Sequence, residues 1–268
     1  MDRVLNYPGS KWSSAERIIN LFPPHKAYLE PFAGILAVFL NKPPDVLETI
    51  NDIDGRLINM WSIMRDKPDE LARLIALTPY SREEYDLAKI KSNDELEDAR
   101  RILIKCWFSV GGKSDGGFRR NVRWTGPYNT QTWKNMPSRI MQAAERLRDA
   151  QIEQLDAIEL IEKMNDDDTL IYADPPYMNE TVSSKTHYKF GMADDQHMKL
   201  LSTLKNHRGP VILSGYNSDL YAKELKGWSK IEFDSATGNV GRKKKIAIEC
   251  LWCNFDPVEQ MELFKLEV

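Results

Sequence analysis

The sequence predicts an α/β fold: a mostly parallel sheet, closed by a carboxyl-terminal antiparallel hairpin and interrupted by a mainly helical insertion. Three observations predict it. Short apolar runs ending in polar or acidic residues alternate with stretches of helical spacing. That alternation breaks off in the middle of the chain and later resumes. Two β-patterned runs around a glycine-containing loop then end the readable pattern.

Taken in order, Ser13-Ser14 followed by Ala15 to Leu21 reads as a capped amphipathic helix stopped by Pro23-Pro24. Ala27-Tyr28-Leu29-Glu30 is a short strand, Pro31-Phe32-Ala33-Gly34 a turn, and the apolar run Ile35 to Leu40 is expected to open a helix. Val46 to Ile50 is a second strand, ending in Asn51-Asp52-Ile53-Asp54. Helical spacing runs from Gly55 to Met64 and again from Ser81 to Val110, whereas Gly111 to Pro127, rich in Gly, Arg and Asn, shows no sustained period. The α/β alternation returns with a strand at Asp168 to Ala173, a helix at Asp195 to Asn206, a strand at Pro210 to Ser214 and a helix at Ser218 to Leu225. Lys230 to Phe233 and Lys245 to Trp252 form the terminal hairpin. The expected division is a catalytic domain of residues 1–64 and 151–268, with 65–150 inserted.

A chain of 268 residues with 42% hydrophobic content can bury a large core and is not disordered. No apolar stretch is long enough to cross a bilayer, and Met1-Asp2-Arg3-Val4 does not begin a signal-peptide pattern, so a cytoplasmic protein with no membrane partner is expected. Three cysteines form no disulfide framework. Cys250 and Cys253 lie three apart on a strand, pointing to opposite faces, and are read as structural. His187 and His197 are read as polar helix or loop residues rather than catalytic ones.

The net charge of −3 argues at first against a nucleic-acid partner. The average hides an asymmetry: residues 100–148 carry eleven Lys and Arg against only Asp115 and Glu145, a local charge of +9. Trp107, Phe108, Phe118, Trp124, Tyr128 and Trp133 are interleaved with them, a mixture suited to contacting phosphates and stacking on bases. A solvated surface with a few core aromatics is the alternative. Arg242 to Lys245, at the hairpin tip, is either solvated or touches phosphate.

Asp174-Pro175-Pro176-Tyr177 directly follows an apolar strand, so its side chains emerge at the carboxyl end of the sheet, where open α/β folds bind ligands. The two prolines remove backbone donors and stiffen the loop, leaving the Pro175 carbonyl to accept a hydrogen bond beside the Asp174 carboxylate. An amino group presented there can donate both its protons. The lone pair of a nucleobase amine is delocalised into its ring, and two acceptors holding the nitrogen towards pyramidal geometry make it available. Tyr177 offers a flat face for stacking.

With Pro31-Phe32-Ala33-Gly34 upstream and Leu5-Asn6-Tyr7-Pro8-Gly9-Ser10-Lys11 near the start, this motif resembles the Dam-type (alpha-order) N6-adenine DNA methyltransferase family, and the blocks occur in that family's order. The resemblance implies a Rossmann-like S-adenosylmethionine-dependent methyltransferase fold whose insertion recognises double-stranded DNA. It implies catalysis by Asp174, Pro175, Pro176 and Tyr177. It implies cofactor contacts from Tyr7, Lys11, Pro31, Phe32, Ala33, Gly34, Asp52, Asp156 and Asp174, with Asp54 the alternative to Asp52 as ligand of the ribose. DNA contacts are expected from Arg119, Arg120, Arg123, Trp124 and Tyr128. The implied reaction is direct in-line transfer to a flipped-out adenine, requiring no metal. A cognate restriction enzyme is compatible with it. One departure stands out: related loops often carry a second glycine two positions after the first, where this chain has Leu36. The competing readings are a cytosine-N4, RNA or glutamine amino-methyltransferase, or a protein that binds DNA and the cofactor without catalysis.

Overall fold

A computed structural model describes residues 1–7, 9–112, 116–121, 129–177, 191–237 and 245–257, without the side chains of 216, 234–237 and 245–247. The chain divides into two compact units. One comprises residues 1–16, 33–44 and 52–154, the other 17–32, 45–51 and 155–268.

The second unit is built on strands β1 (Ala27–Glu30), β2 (Leu47–Asn51), β4 (Thr169–Ala173), β5 (Val211–Tyr216), β6 (Ser229–Thr237) and β7 (Lys245–Cys253). They run in the order β2-β1-β4-β5-β7-β6 within a seven-stranded sheet whose remaining strand, β3 (Gln151–Glu153), falls in the first unit. β1 is parallel to β2 and β4, with Glu30 opposite Ile50 and Leu29 opposite Ile171, and β4 is parallel to β5. β7 is antiparallel to both β5 and β6, the terminal hairpin expected from sequence. Alternate residues of the strands, Leu29, Ile171, Ala173, Val211, Leu213, Cys250 and Trp252, share one core cluster. Onto it pack Leu160 and Ile161 of α8 (Ala157–Lys163), Leu200, Leu201 and Leu204 of α9 (Asp194–Lys205) and Tyr221 of α10 (Asp219–Glu224). Burial of each such Leu or Ile stabilises the fold by about 1.5–3 kcal/mol. The other strand face is equally dry: Tyr28, Leu170, Tyr172 and Ile212 are buried. Strands covered on both sides read as continuous apolar runs, which is why β4 and β5 were legible.

The first unit is helical: α2 (Gly55–Asp66), α3 (Pro68–Leu77), α4 (Arg82–Ala88), α5 (Glu95–Phe108), α6 (Asn129–Lys134) and α7 (Met136–Leu147). α2 packs on α5 and α7, α3 on α7, and α4 on α5. The single helical stretch expected over 81–110 is two helices, because Asp94 starts a new one by accepting from Glu97 N at 2.7 Å. Arg56 clamps α2 to α5 with two bonds to the buried Asp98, at 2.9 and 2.7 Å. The helix expected from Ile35 to Leu40 is instead a run of turns. Leu36 sits at φ +55°, a left-handed conformation that no α-helix continues through, and Pro43-Pro44 follow. The amino-terminal helix is also shorter than expected, α1 being Ala15–Ile19. Among the described residues no helix is long and apolar enough to cross a membrane.

Candidate active site

In the second unit three parallel strands end at one edge, and each delivers a residue of interest. β4, the fourth strand of seven, ends at Ala173 and hands the chain to a half-buried Asp174, then to Pro175 and Tyr177, both buried. β1 ends at Glu30 and delivers Pro31 and Phe32, the latter packed against the core cluster. β2 ends in Asn51, which has no solvent exposure. The Asn51 amide donates to Pro31 O at 2.9 Å and Leu155 O at 3.1 Å, while its Oδ1 accepts from Leu155 N at 2.8 Å. One side chain thus fastens the turn after β1 to the segment before Asp156. Asp156 caps α8, its Oδ1 accepting from Ile158 N and Glu159 N at 2.9 and 3.3 Å.

Tyr177 turns its hydroxyl to Ser214 Oγ on β5, at 3.4 Å, and only 9% of the residue is exposed. On α10, Tyr221 bonds His197 Nδ1 of α9 at 3.0 Å, with both residues buried. Gly215 makes room for that phenol: a Cβ there would lie 3.0 Å from Tyr221 Cε2. Burial, then the charge of Asp174, raises the Tyr221 phenol well above its ordinary pKa, which keeps it neutral. His197 lies in a helix, as one of the two settings expected for it, with its ring buried in the core, and burial lowers its pKa against a smaller opposing pull from Asp194.

The first unit gathers the remaining cofactor candidates. Asp52 Oδ2 accepts from Gly34 N and its Oδ1 from Asp54 N, both at 2.8 Å. Burial raises the Asp52 carboxyl above the usual range, the two backbone bonds pull it back, and Asp54 adds a further push upward. Gly34 is held from its other side by Trp61, whose Nε1 donates to Gly34 O at 3.1 Å. With φ +49° and nothing within 4 Å of where a Cβ would be, the backbone at Gly34 is open to a ligand's approach. Tyr7 lies near Asp52, Asp54 and Cys106. Burial first, then those three groups, push its phenol up to about 12. Lys11 is buried, its Nζ 3.4 Å from Gly9 O. Asp54 caps α2 by accepting from Arg56 N at 3.0 Å. A desolvated carboxylate beside an open glycine backbone offers acceptors for the hydroxyl groups of a ligand.

The basic stretch of this unit is less available than its charge suggests. Arg100 pairs with Glu84 and Glu97, Arg101 with Glu97, and Arg139 with Asp2, so these three serve the helix packing and the amino terminus, while Arg148 makes an exposed pair with Glu145. Arg146 lies over the Phe39 ring at 3.9 Å. Arg119 is half-buried and Arg120 exposed. The backbone at Arg119 is fixed from two sides, its N donating to Phe108 O and its O accepting from Tyr80 Oη, each at 2.6 Å. Phe118 next to it packs among Tyr80, Tyr85 and Phe108. Arg123, Trp124 and Tyr128 lie outside the described residues, as do His187 and the Arg242–Lys244 stretch.

Sequence reasoning passed over Asn51, Trp61, Ser214 and Tyr221. The signal available was a polar residue directly after a buried apolar one in a short strand, present at both Asn51 and Ser214.

A family model described as D12 class N6 adenine-specific DNA methyltransferase matches residues 7–235. The chain is 28% identical to the type II methyltransferase M1.LlaDCHI of Lactococcus lactis subsp. cremoris, over 88% of this chain and 90% of that protein. It is 24% identical to the type II methyltransferase M.MjaIII of Methanocaldococcus jannaschii, over 76% and 78% respectively. Among solved structures, a SAM-dependent methyltransferase from Agrobacterium tumefaciens matches with a TM-score of 0.41 and 10% identity, covering 91% of this chain and 61% of that one. With the family match running from Tyr7 into β6, the chain belongs to the D12 class N6 adenine-specific DNA methyltransferases, enzymes that methylate adenine in DNA with S-adenosylmethionine as donor.

Proposed function

We propose that this enzyme methylates N6 of an adenine flipped out of double-stranded DNA, by direct in-line attack with no covalent enzyme intermediate. The observation that carries the reading is Asp174-Pro175-Pro176-Tyr177 leaving the middle strand at the edge where β1 and β2 also end. The Asp174 carboxylate and the Pro175 carbonyl accept the two amine protons and hold the nitrogen lone pair available. Tyr177, tethered through Ser214, is the stacking face for the base.

For the cofactor, the sequence assigns Tyr7, Lys11, Pro31, Phe32, Ala33, Gly34, Asp52 and Asp156. Of the two acids left open by sequence, Asp52 is taken as the ribose ligand, because its carboxylate is bonded to the open backbone of Gly34 and each of its oxygens keeps a second lone pair beside its backbone bond. Bound S-adenosylmethionine supplies a methyl group activated on a sulfonium, so alignment alone can contribute up to ~7–11 kcal/mol of the acceleration. Leu36 is no obstacle, since it adopts the left-handed turn that a glycine would otherwise make.

Extruding the base costs roughly a few kcal/mol, which contacts from residues 65–150 offset, with Arg119 and Arg120 as phosphate or base ligands and Arg123, Trp124 and Tyr128 assigned beside them by sequence. The type II names of two relatives favour a cognate restriction enzyme.

The test is transfer of labelled methyl from S-adenosylmethionine to unmethylated plasmid DNA by wild type and Asp174→Ala, followed by nucleoside analysis. Label in N6-methyladenine that falls at least a hundredfold in the variant, even with S-adenosylmethionine at saturation, supports the assignment. Label in N4-methylcytosine, or undiminished transfer by the variant, overturns it.

A further inference from the structure

The amino-terminal segment carrying Tyr7 is laid along the recognition helices by a set of main-chain contacts. Trp107 Nε1 on α5 donates to Val4 O at 2.7 Å, and Arg139 on α7 donates to Arg3 O at 2.8 Å while pairing with Asp2 at 3.1 Å. The guanidinium of Arg139 also lies over the Trp107 ring, at 5.5 Å. The tightest approach comes just beyond α5, in the turn Val110–Gly112. A Cβ on Gly112 would lie 2.4 Å from Asn6 O, 2.9 Å from Asn6 C and 3.2 Å from Tyr7 Cα. All three are backbone atoms, which no rotamer change can move aside. Gly112 also holds φ +69°, so any side chain there is strained as well as crowded.

That same turn is the root of the segment leading to Arg119 and Arg120. Val110 N donates to Gly117 O at 2.9 Å, and Ser109 pairs with Phe118 across a β-bridge. The residue that lets the chain leave α5 for the recognition segment is thus pressed against the backbone of Asn6-Tyr7.

From this contact we propose that Gly112 is a positioning residue for Tyr7, making the geometry of the cofactor side chain depend on the root of the recognition segment. The inference rests on the reading that Tyr7 contacts S-adenosylmethionine. A side chain at Gly112 displaces the Asn6-Tyr7 backbone and moves the phenol off its ligand, without touching the cofactor itself. Any pull on the root from DNA bound at Arg119 and Arg120 reaches Tyr7 by the same contact, and linkage then requires cofactor binding to act back on DNA affinity.

The test is a double-mutant cycle read by equilibrium binding of S-adenosylmethionine in the absence of DNA, using Gly112→Ala, Tyr7→Ala and the pair. Gly117→Ala is the control, since a Cβ there meets nothing within 4 Å. Expected is a loss of roughly tenfold for Gly112→Ala, on the order of one displaced hydrogen-bonding side chain. In the Tyr7→Ala background the same substitution should add less than about twofold, and the control should bind like wild type. Full additivity, or an unchanged affinity for Gly112→Ala where Tyr7→Ala weakens binding, overturns the proposal. An unchanged affinity for Tyr7→Ala itself refutes the underlying cofactor reading, and the proposal with it. Should Gly112→Ala not fold by circular dichroism, Trp107→Phe, which deletes the bond to Val4 O and part of the ring beneath Arg139, replaces it in the same cycle under the same criteria.

Discussion

Replacing Asn51 by alanine removes three hydrogen bonds at once from a position with no solvent exposure. At about 1 kcal/mol for each bond the direct loss is ~3 kcal/mol, and the stranded Pro31 and Leu155 carbonyls and Leu155 N–H make that a lower bound. Asn51→Asp tests the polarity of the arrangement. Its carboxylate still accepts from Leu155 N but turns oxygen towards two carbonyls in place of the amide donor, so it should be at least as damaging as alanine. Urea unfolding followed by circular dichroism reads the stability change from the midpoint at constant slope. Because Asn51 holds both Pro31 and the segment before Asp156, binding of S-adenosylmethionine should weaken roughly tenfold or more in both variants. A loss under about 1 kcal/mol for Asn51→Ala, or an aspartate variant as stable as wild type, would show that the clamp is not what organises this edge.

Three further outcomes follow from particular residues. At Leu36, glycine should be as stable as alanine or better by ~1 kcal/mol, the reverse of the usual order, since both lose the buried leucine but only glycine relieves φ +55°. Urea midpoints of the two variants decide it, and alanine outperforming glycine would contradict the left-handed turn. His197 and His207 are both buried, and burial lowers both pKa values below 6.5. The unfolded chain then binds more protons than the folded one, so stability is complete above about pH 6.5 and declines as pH falls below it. The urea midpoint should drop between pH 7.5 and 5.5, with a shallower slope in His197→Gln, and a midpoint that rises over this range would refute the assignment. Arg120→Ala should weaken binding to all DNA sequences alike and lower the salt slope by about 1; an unchanged slope in a titration against sodium chloride removes Arg120 from the interface.

The sheet was legible because its strands are dry on both faces, so Leu170 to Ala173 and Val211 to Leu213 read as unbroken apolar runs, and Asp174 could be placed at a strand end. Ile35 to Leu40 looked helical for the same reason that it is buried. Composition reports burial there, whereas the left-handed φ of Leu36 is imposed by Leu36 N bonding Ala33 O at 2.7 Å and by the Gly34 turn tied to Asp52 and Trp61. The local charge of +9 overstated the free cations because the acids that absorb it, Asp2, Glu84 and Glu97, lie outside the counted window. Pairing across sequence distance is invisible to a running sum.

What marks the candidate site physically is where the apolar strands change character. Polar groups gather towards the carboxyl ends of three strands: Asn51 closes β2, Asp174 directly follows β4, and Ser214 lies in the second half of β5. Burying polar groups there is unfavourable unless each is bonded. Asn51 meets Pro31 and Leu155, Ser214 meets Tyr177, and Tyr221 meets His197. A sheet edge needing only stability would be better served by more leucine and valine. The bonded polar groups instead fix the turn after β1 and the ring of Tyr177 in place while leaving Asp174 half-exposed. That arrangement suits alignment of a weak nucleophile, where rate depends on holding atoms still. It follows that Ser214→Ala, which frees the Tyr177 ring without touching any reactant, should lower kcat while leaving the KM for S-adenosylmethionine near wild type. The opposite split would place Ser214 with the cofactor rather than with the base.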